Sequence, residues 1–292
     1  LFFFFLYLLF PFNDLGDLVT SKISEGTNNQ AFVNFDNIDL ALLPHPSLVL
    51  TKVSIETPFA PTLIAKSLSV SPSFLGLISF HPGVNVEANG VLGGNLDLTA
   101  GLGEKTMTTP VHRKQKVSME LDGISLGTLA KLASSPLRVD GQISGSVIAE
   151  VDPEFAEQLT GEIDLKSEKT VFPEANIMGM GLPKLNLGDV IVQGQADKGQ
   201  LDLTSFVAGH KGGDLYVTAT GKIDIRMQKQ MNGVMPPQGG YDLIVNVQLG
   251  DTLRQKLGPF LSAIQAYQTA PNNYAIRLSA PYAGANPSFA HP

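Results

Sequence analysis

Gly123-Ile124-Ser125-Leu126-Gly127 spells G-x-S-x-G, the pattern in which a serine nucleophile stands on a sharp strand-to-helix turn. That chemistry needs a parallel α/β sheet around it and an acid and a histidine further along the chain. The flanking stretches instead alternate like half-buried antiparallel strands, and Leu126, Leu129, Ala130 and Leu132 follow at helical spacing. Ser125 is therefore expected to cap a short helix. The five histidines, His45, His81, His112, His210 and His291, are widely spread, and no H-E-x-x-H or phosphate-cradling glycine loop accompanies them. His45 and His81 each sit beside a proline and read as turn residues. Asp36, Asp39 and the aspartates of the repeats below fall one per strand on the polar side, whereas calcium needs closely packed oxygen ligands. With no cysteine in the chain, disulfides, thiolate metal sites and cysteine nucleophiles are excluded. The expectation is a non-enzymatic protein with no catalytic residue, no metal and no cofactor.

What the sequence does repeat is a phrase. GNLDL runs from Gly94 to Leu98, GEIDL from Gly161 to Leu165, GQLDL from Gly199 to Leu203 and GKIDI from Gly221 to Ile225, with a looser GQISGSV from Gly141. A glycine suited to a turn followed by strict alternation describes a strand with one wet and one dry face. The dry positions Ile163, Leu165, Leu201, Leu203, Ile223 and Ile225 are expected to share one continuous apolar face. Either helices cover such a face or it stays open as a groove, and an open one marks a lipid or protein partner.

The rest of the composition agrees with many short strands. Glycine (29) and proline (19) are plentiful in a chain of 292 residues, and 43% of it is apolar, enough to bury a core. A net charge of −7 and a pI near 5.2 exclude a nucleic-acid partner, which would require a basic face. The one basic cluster, His112-Arg113-Lys114-Gln115-Lys116, reads as a solvated loop or strand start. Alternating runs predict strands from Ala31 to Leu121, then a short helix over about 124–133 closed by Ser134-Ser135-Pro136. A second set of strands is expected from Leu137 to about Arg226, then a loop over Met227–Gly240 and a strand over Tyr241–Leu249. A helix starting at Asp251 should break at Gly258-Pro259, and a last strand spans Tyr274–Ala280.

Residues 1–12, LFFFFLYLLFPF, carry no charge. Twelve apolar residues are too few to span a bilayer, which takes about 20. They are expected to be the end of a transmembrane helix whose first half precedes Leu1, with Phe2, Phe3, Phe4, Phe5, Leu6, Leu8, Leu9 and Phe10 as the anchor. A cleaved signal peptide would end in small residues, whereas this run ends Phe10-Pro11-Phe12-Asn13-Asp14. Leu15, Leu18, Val19 and Ile23 then fall on one face of an amphipathic helix over 13–27. The resulting division is anchor 1–12, amphipathic helix 13–27, one β-rich domain 28–282 and a disordered tail 283–292. The halves of that domain, about 28–122 and 137–282, are joined by the short helix.

The order of these parts carries a resemblance. The run FPFNDLGDLVTSKIS, the strand pair VNFDNIDLALLPHPSLVLTKVSIET and the stretch NVEANGVLGGNLDLTAG resemble the start of AsmA-like envelope proteins. LRVDGQISGSVIAEV, LTGEIDLKSEKTVFP, LPKLNLGDVIVQGQADKGQLDLTSF and GGDLYVTATGKIDI are similar to the GspN component of type II secretion systems. The resemblance implies a mainly β fold: a long, twisted antiparallel sheet forming an AsmA-like groove, with a few short helices and an N-terminal transmembrane helix. It implies a single-pass protein of the bacterial inner membrane with its bulk in the periplasm, acting in type II secretion through contacts with other secretion-system subunits. The alternative it implies is a lipid-transfer module holding phospholipid acyl chains in the groove. It transfers no catalytic residue.

Overall fold

The computed structural model describes residues 20–21, 25, 32–41, 46–57, 60–73, 83–107, 111, 113–132, 138–154, 156–177, 180–230, 233–235, 239–282 and 285–292. The expected anchor lies outside the described residues, as do most of the amphipathic helix, the Pro44-His45-Pro46 turn up to His45, and His81 and His112. No helix among the described residues is long and apolar enough to cross a membrane.

The chain is an antiparallel meander. It opens with β1 (Phe32–Asn34), β2 (Asn37–Ala41), β3 (Ser47–Thr57), β4 (Ala60–Pro72), β5 (Gly83–Val91), β6 (Gly94–Lys105) and β7 (Arg113–Ser125). Helix α1 (Leu126–Leu132) leads into β8 (Asp140–Val151) and β9 (Thr160–Phe172), followed by a small separate hairpin of β10 (Ala175–Ile177) and β11 (Met180–Leu182). Next come β12 (Leu185–Asp197), β13 (Gln200–Gly209) and β14 (Leu215–Asp224), then a second hairpin of β15 (Gln228–Gln230) and β16 (Gly233–Met235). The chain closes with β17 (Gly239–Leu249), α2 (Asp251–Lys256), α3 (Gly258–Ile264), β18 (Gln268–Ala270), β19 (Asn273–Tyr282) and β20 (Ser288–Ala290).

Sixteen of these strands form one sheet, each long strand pairing with the next in the chain. The two outer edges are made of short pieces: β1 and β2 both lie along β3, and β18 and β20 both lie along β19. The sheet is mainly β and open, as the alternation predicts. Three local differences from the sequence reading stand out. The segment read as a loop over 227–240 contains the β15–β16 hairpin, and the tail read as disordered contributes β20. GKIDI does not launch a strand: Gly221 sits inside β14, paired with Leu203 on one side and Leu243 on the other.

The reason for glycine at 221 is close approach. Its φ is +145°, and a Cβ there would lie 2.2 Å from the carbonyl oxygen of Asp242. Gly145 repeats the arrangement on β8, with φ +139° and the carbonyl oxygen of Asp164 at 2.1 Å from its absent Cβ. Both positions admit no side chain, so neighbouring backbones close in where an L residue would hold them apart.

Two buried clusters hold the sheet. One joins Val33, Ile38, Leu50, Val53, Ala65, Ala88, Val91 and Ile124, with Leu129 of α1 packed against it. The other joins Leu249, Leu253, Leu257 and Tyr274 with Leu215, Leu261 and Ile264, so that α2 and α3 cover the sheet's C-terminal corner. The break between α2 and α3 falls at Leu257, just ahead of Gly258-Pro259, where the missing proline N–H ends a helix. Ser125 accepts a hydrogen bond from the Thr128 backbone N–H at 3.3 Å and so acts as the cap of α1.

Candidate functional site

Register through the sheet joins single residues into long rows. Leu40 faces Leu48, then come Val70, Val86, Leu98, Met119 and Val147, each directly opposite the last. The same row continues through Ile163, Gly194, Leu203, Gly221, Leu243, Leu278 and Phe289. Fourteen strands are crossed without one polar side chain. At roughly 4.8 Å per strand the row is about 60 Å long.

A second row lies two residues away on each strand, and three away on β13, where the register shifts between Leu203 and Phe206. It runs Ile38, Leu50, Leu68, Ala88, Leu96, Leu121 and Gly145, then Leu165, Val192, Phe206, Ala219, Val245 and Ile276. On the other side of the first row a third includes Ala100, Val117, Ala149, Gly161, Ala196, Leu201 and Ile223. Five of the six groove residues named from the sequence, Ile163, Leu165, Leu201, Leu203 and Ile223, therefore share one face. Ile225 lies just past the end of β14, its N–H donating to the Gly199 carbonyl at 2.8 Å.

Burial along this face is uneven. The two buried clusters lie towards the sheet's two sides, and β6, β8 and β9 between them contribute no fully buried hydrophobic side chain. Leu98, Met119, Val147 and Ile163 are half-buried, shielded by one another. Among the described residues α1, against β7 and β8, is the one helix with more than marginal contact with the middle strands of the sheet. Leu203, at 8% exposure, is the one groove residue of the sequence reading that is fully buried.

The opposite face is largely polar, interrupted by Ile64, Ile148, Ile191, Val207 and Ile244. Glu87, Asp97 and Glu120 stand directly across from one another on β5, β6 and β7, and Ser146 and Asp164 extend that row. A shallow depression of about 490 Å³ lies over it, lined in part by Asp97, Glu120, Asp122 and Lys166. Among the described residues no group of His, Cys, Asp or Glu has the arrangement to hold a metal ion. Further along, Arg277 donates to both carboxylate oxygens of Asp242, at 2.8 and 2.5 Å. The guanidinium holds that carboxyl below its ordinary range.

Ser125 stands between an antiparallel strand and a seven-residue helix, without the parallel sheet that a nucleophile elbow requires. What the arrangement offers chemically is surface: an apolar strip several residues wide that runs from one edge of the sheet to the other. The sequence reading located part of it from the repeated phrase. It missed the β4, β5 and β7 portion because Val70, Val86 and Met119 carry no such phrase, and it named no groove residue on β6 or β8 although GNLDL and GQISGSV stand there. No protein-family model, curated protein or solved structure matches the chain.

Proposed function

We propose that this chain is a non-enzymatic, inner-membrane-anchored periplasmic component of the GspN kind, belonging to the type II protein secretion system, with the apolar face as its working surface. One observation supports the reading most: the unbroken apolar rows on a single open antiparallel meander, the architecture that the AsmA-like resemblance implies. A face of that length left half-exposed is the kind of surface that soluble proteins otherwise avoid. The secretion role itself rests on the sequence resemblance. It is tested by deleting the gene and complementing with the wild type or with Met119→Asp. Loss of export of folded substrates in the deletion strain, restored by the wild type alone, is the expected result. Normal export in the deletion strain would sink the assignment.

A second reading names the occupant of the surface. The bare middle of the face, over β6, β8 and β9, favours extended acyl chains of phospholipid, held in an AsmA-like trough. Acyl chains make few directional demands and fit a strip with no polar group in it. Uptake of a fluorescent phospholipid from vesicles by the full chain, abolished by Met119→Asp with circular dichroism unchanged, is the expected outcome. Uptake that persists in that variant would contradict it.

A further inference from the structure

The basic cluster of the sequence lies where the apolar strip runs out towards the ends of β6 and β7. On β7 the dry-face positions continue outward as Met119, Val117, Gln115 and Arg113, each two residues from the last on one continuous strand. Ala100 and Leu102 of β6 stand opposite Val117 and Gln115, and Val151 of β8 flanks Gln115 on its other side. One step further out, past a register shift in β6, Lys105 is the partner of Arg113. Residues directly opposite on an antiparallel pair share a face. Both cations therefore stand on the apolar side of the sheet, just beyond Leu102, which is 38% exposed.

Two observations set this pair apart. Among the described residues it is the one place where two basic residues are partners in register; elsewhere Lys222 stands between Asp202 and Asp242, and Lys116 opposite Glu150. Like charges placed so destabilise a strand pair. Nor does a carboxylate relieve them, for among the described residues neither side chain makes an ion pair or a hydrogen bond. The nearby acids serve Lys114, which alternation puts on the other face: Glu157 lies 2.8 Å from its Nζ, and Glu104 and Glu150 are near enough to favour its charged form.

We propose that Lys105 and Arg113 hold the phosphate of a phospholipid headgroup whose acyl chains lie on the apolar face. The proposal rests on the acyl-chain reading above and adds the headgroup's place to it. An anionic phosphodiester supplies the counter-charge that the pair lacks. The planar guanidinium of Arg113 takes two phosphate oxygens in parallel, and the Lys105 ammonium adds a point charge. Opposed residues on antiparallel strands have Cα atoms about 5 Å apart, so both side chains reach one phosphate. Arg113 is four residues from Val117, about 13 Å along the strand, so a lipid held there passes its ester groups over Gln115 and lays its chains on apolar side chains from Leu102 and Val151 inward. With a net charge of −7 the chain has no broad basic field to draw an anion, and the pair acts locally.

The test uses the full chain and two probes with identical fluorescent acyl chains, a phosphatidylglycerol and a diacylglycerol, with inorganic phosphate titrated separately. The wild type is expected to bind the phosphatidylglycerol at least about ten-fold more tightly than the diacylglycerol. The Lys105→Gln/Arg113→Gln double variant should lose that preference and bind the diacylglycerol as before. Because the two cations repel each other, it should also melt no lower than the wild type. Lys116→Gln, on the opposite face of the same strand, should keep the preference in full, and Arg113→Lys should keep part of it. A preference that survives in the double variant, or falls equally in Lys116→Gln, would overturn the site. A wild type that binds both lipids alike would overturn it and leave the acyl-chain reading standing. Binding of inorganic phosphate alone, lost in the double variant and with no preference between the lipids, would make the pair a site for the free anion and overturn the headgroup assignment. A wild type that takes up neither lipid would overturn the acyl-chain reading itself, and the headgroup site with it.

Discussion

At the scale of single residues the structure separates positions whose role is local from those whose role is set by a distant strand. Ser125 was legible in the sequence because a cap acts on a residue three further along. Gly221 was misread as a turn, because what forbids a side chain there is the backbone of β17, about twenty residues away in sequence. Gly221→Ala is expected to lower stability by about 3 kcal/mol, from backbone strain and displacement of β17, measured by urea unfolding. A loss below about 1 kcal/mol would show that the two backbones can part at little cost. The Glu157 carboxyl is held below the ordinary range, first by the Lys114 ammonium and then by the Met107 N–H. The folded state thus binds that proton less readily than the unfolded chain. Its stabilising contribution is present above the unfolded glutamate value of about 4.3 and is lost as pH falls through the lower folded value. Asp242 beside Arg277 and Asp224 beside Arg226 carry the same sign. Urea midpoints should fall between pH 5 and pH 2, and Glu157→Gln should show a smaller fall. An identical fall in both proteins would remove Glu157 from the account.

At the scale of elements, long strands were readable from period-two alternation, and short ones were not. β10, β11, β15, β16 and β20 are three residues each, too short for any alternation to register. β20 holds its place through cross-chain contacts that no local pattern announces. Ser288 and Ser279 share a hydroxyl hydrogen bond at 2.7 Å, and Tyr267 donates to the Phe289 carbonyl at 3.1 Å. Its job on the edge is to occupy donors and acceptors of β19 that would otherwise recruit another chain. Removing residues 288–292 is expected to produce concentration-dependent self-association, measured by light scattering after size exclusion. A truncated chain that elutes as the intact one does would show that β18 alone protects the edge. On the polar face the directly opposed Glu87, Asp97 and Glu120 repel one another. Asp97→Asn should therefore raise stability by about 0.5 kcal/mol, and less in high salt. A loss of stability would mean that the Asp97 carboxylate has a favourable partner that outweighs the repulsion.

At the scale of the whole molecule, one property emerges that no segment carries alone. Each strand offers two or three apolar residues to the dry face, an ordinary half-buried pattern, and register alone turns them into rows, the longest of which crosses fourteen strands. The repeated phrase revealed the part on β9, β13 and β14. The phrase also stands on β6 and β8, as GNLDL and GQISGSV, but the part on β4, β5 and β7 became visible only with the pairing, because register is a relation between strands. The rows also divide the molecule by consequence. Leu50 and Ile124 belong to a buried cluster, where truncation to alanine should cost about 3 kcal/mol, whereas Met119 and Ile163 lie half-buried in the bare middle. Polar substitution in the middle should change what the face holds and leave the fold standing. The most direct measurement is native mass spectrometry of the full chain taken from membranes in mild detergent, wild type beside Ile163→Asp. Phospholipid bound in stoichiometric amount to the wild type and lost from a folded Ile163→Asp is the predicted result. A wild type free of lipid, or a folded variant that keeps it, would contradict the claim that the apolar face is the working surface for acyl chains.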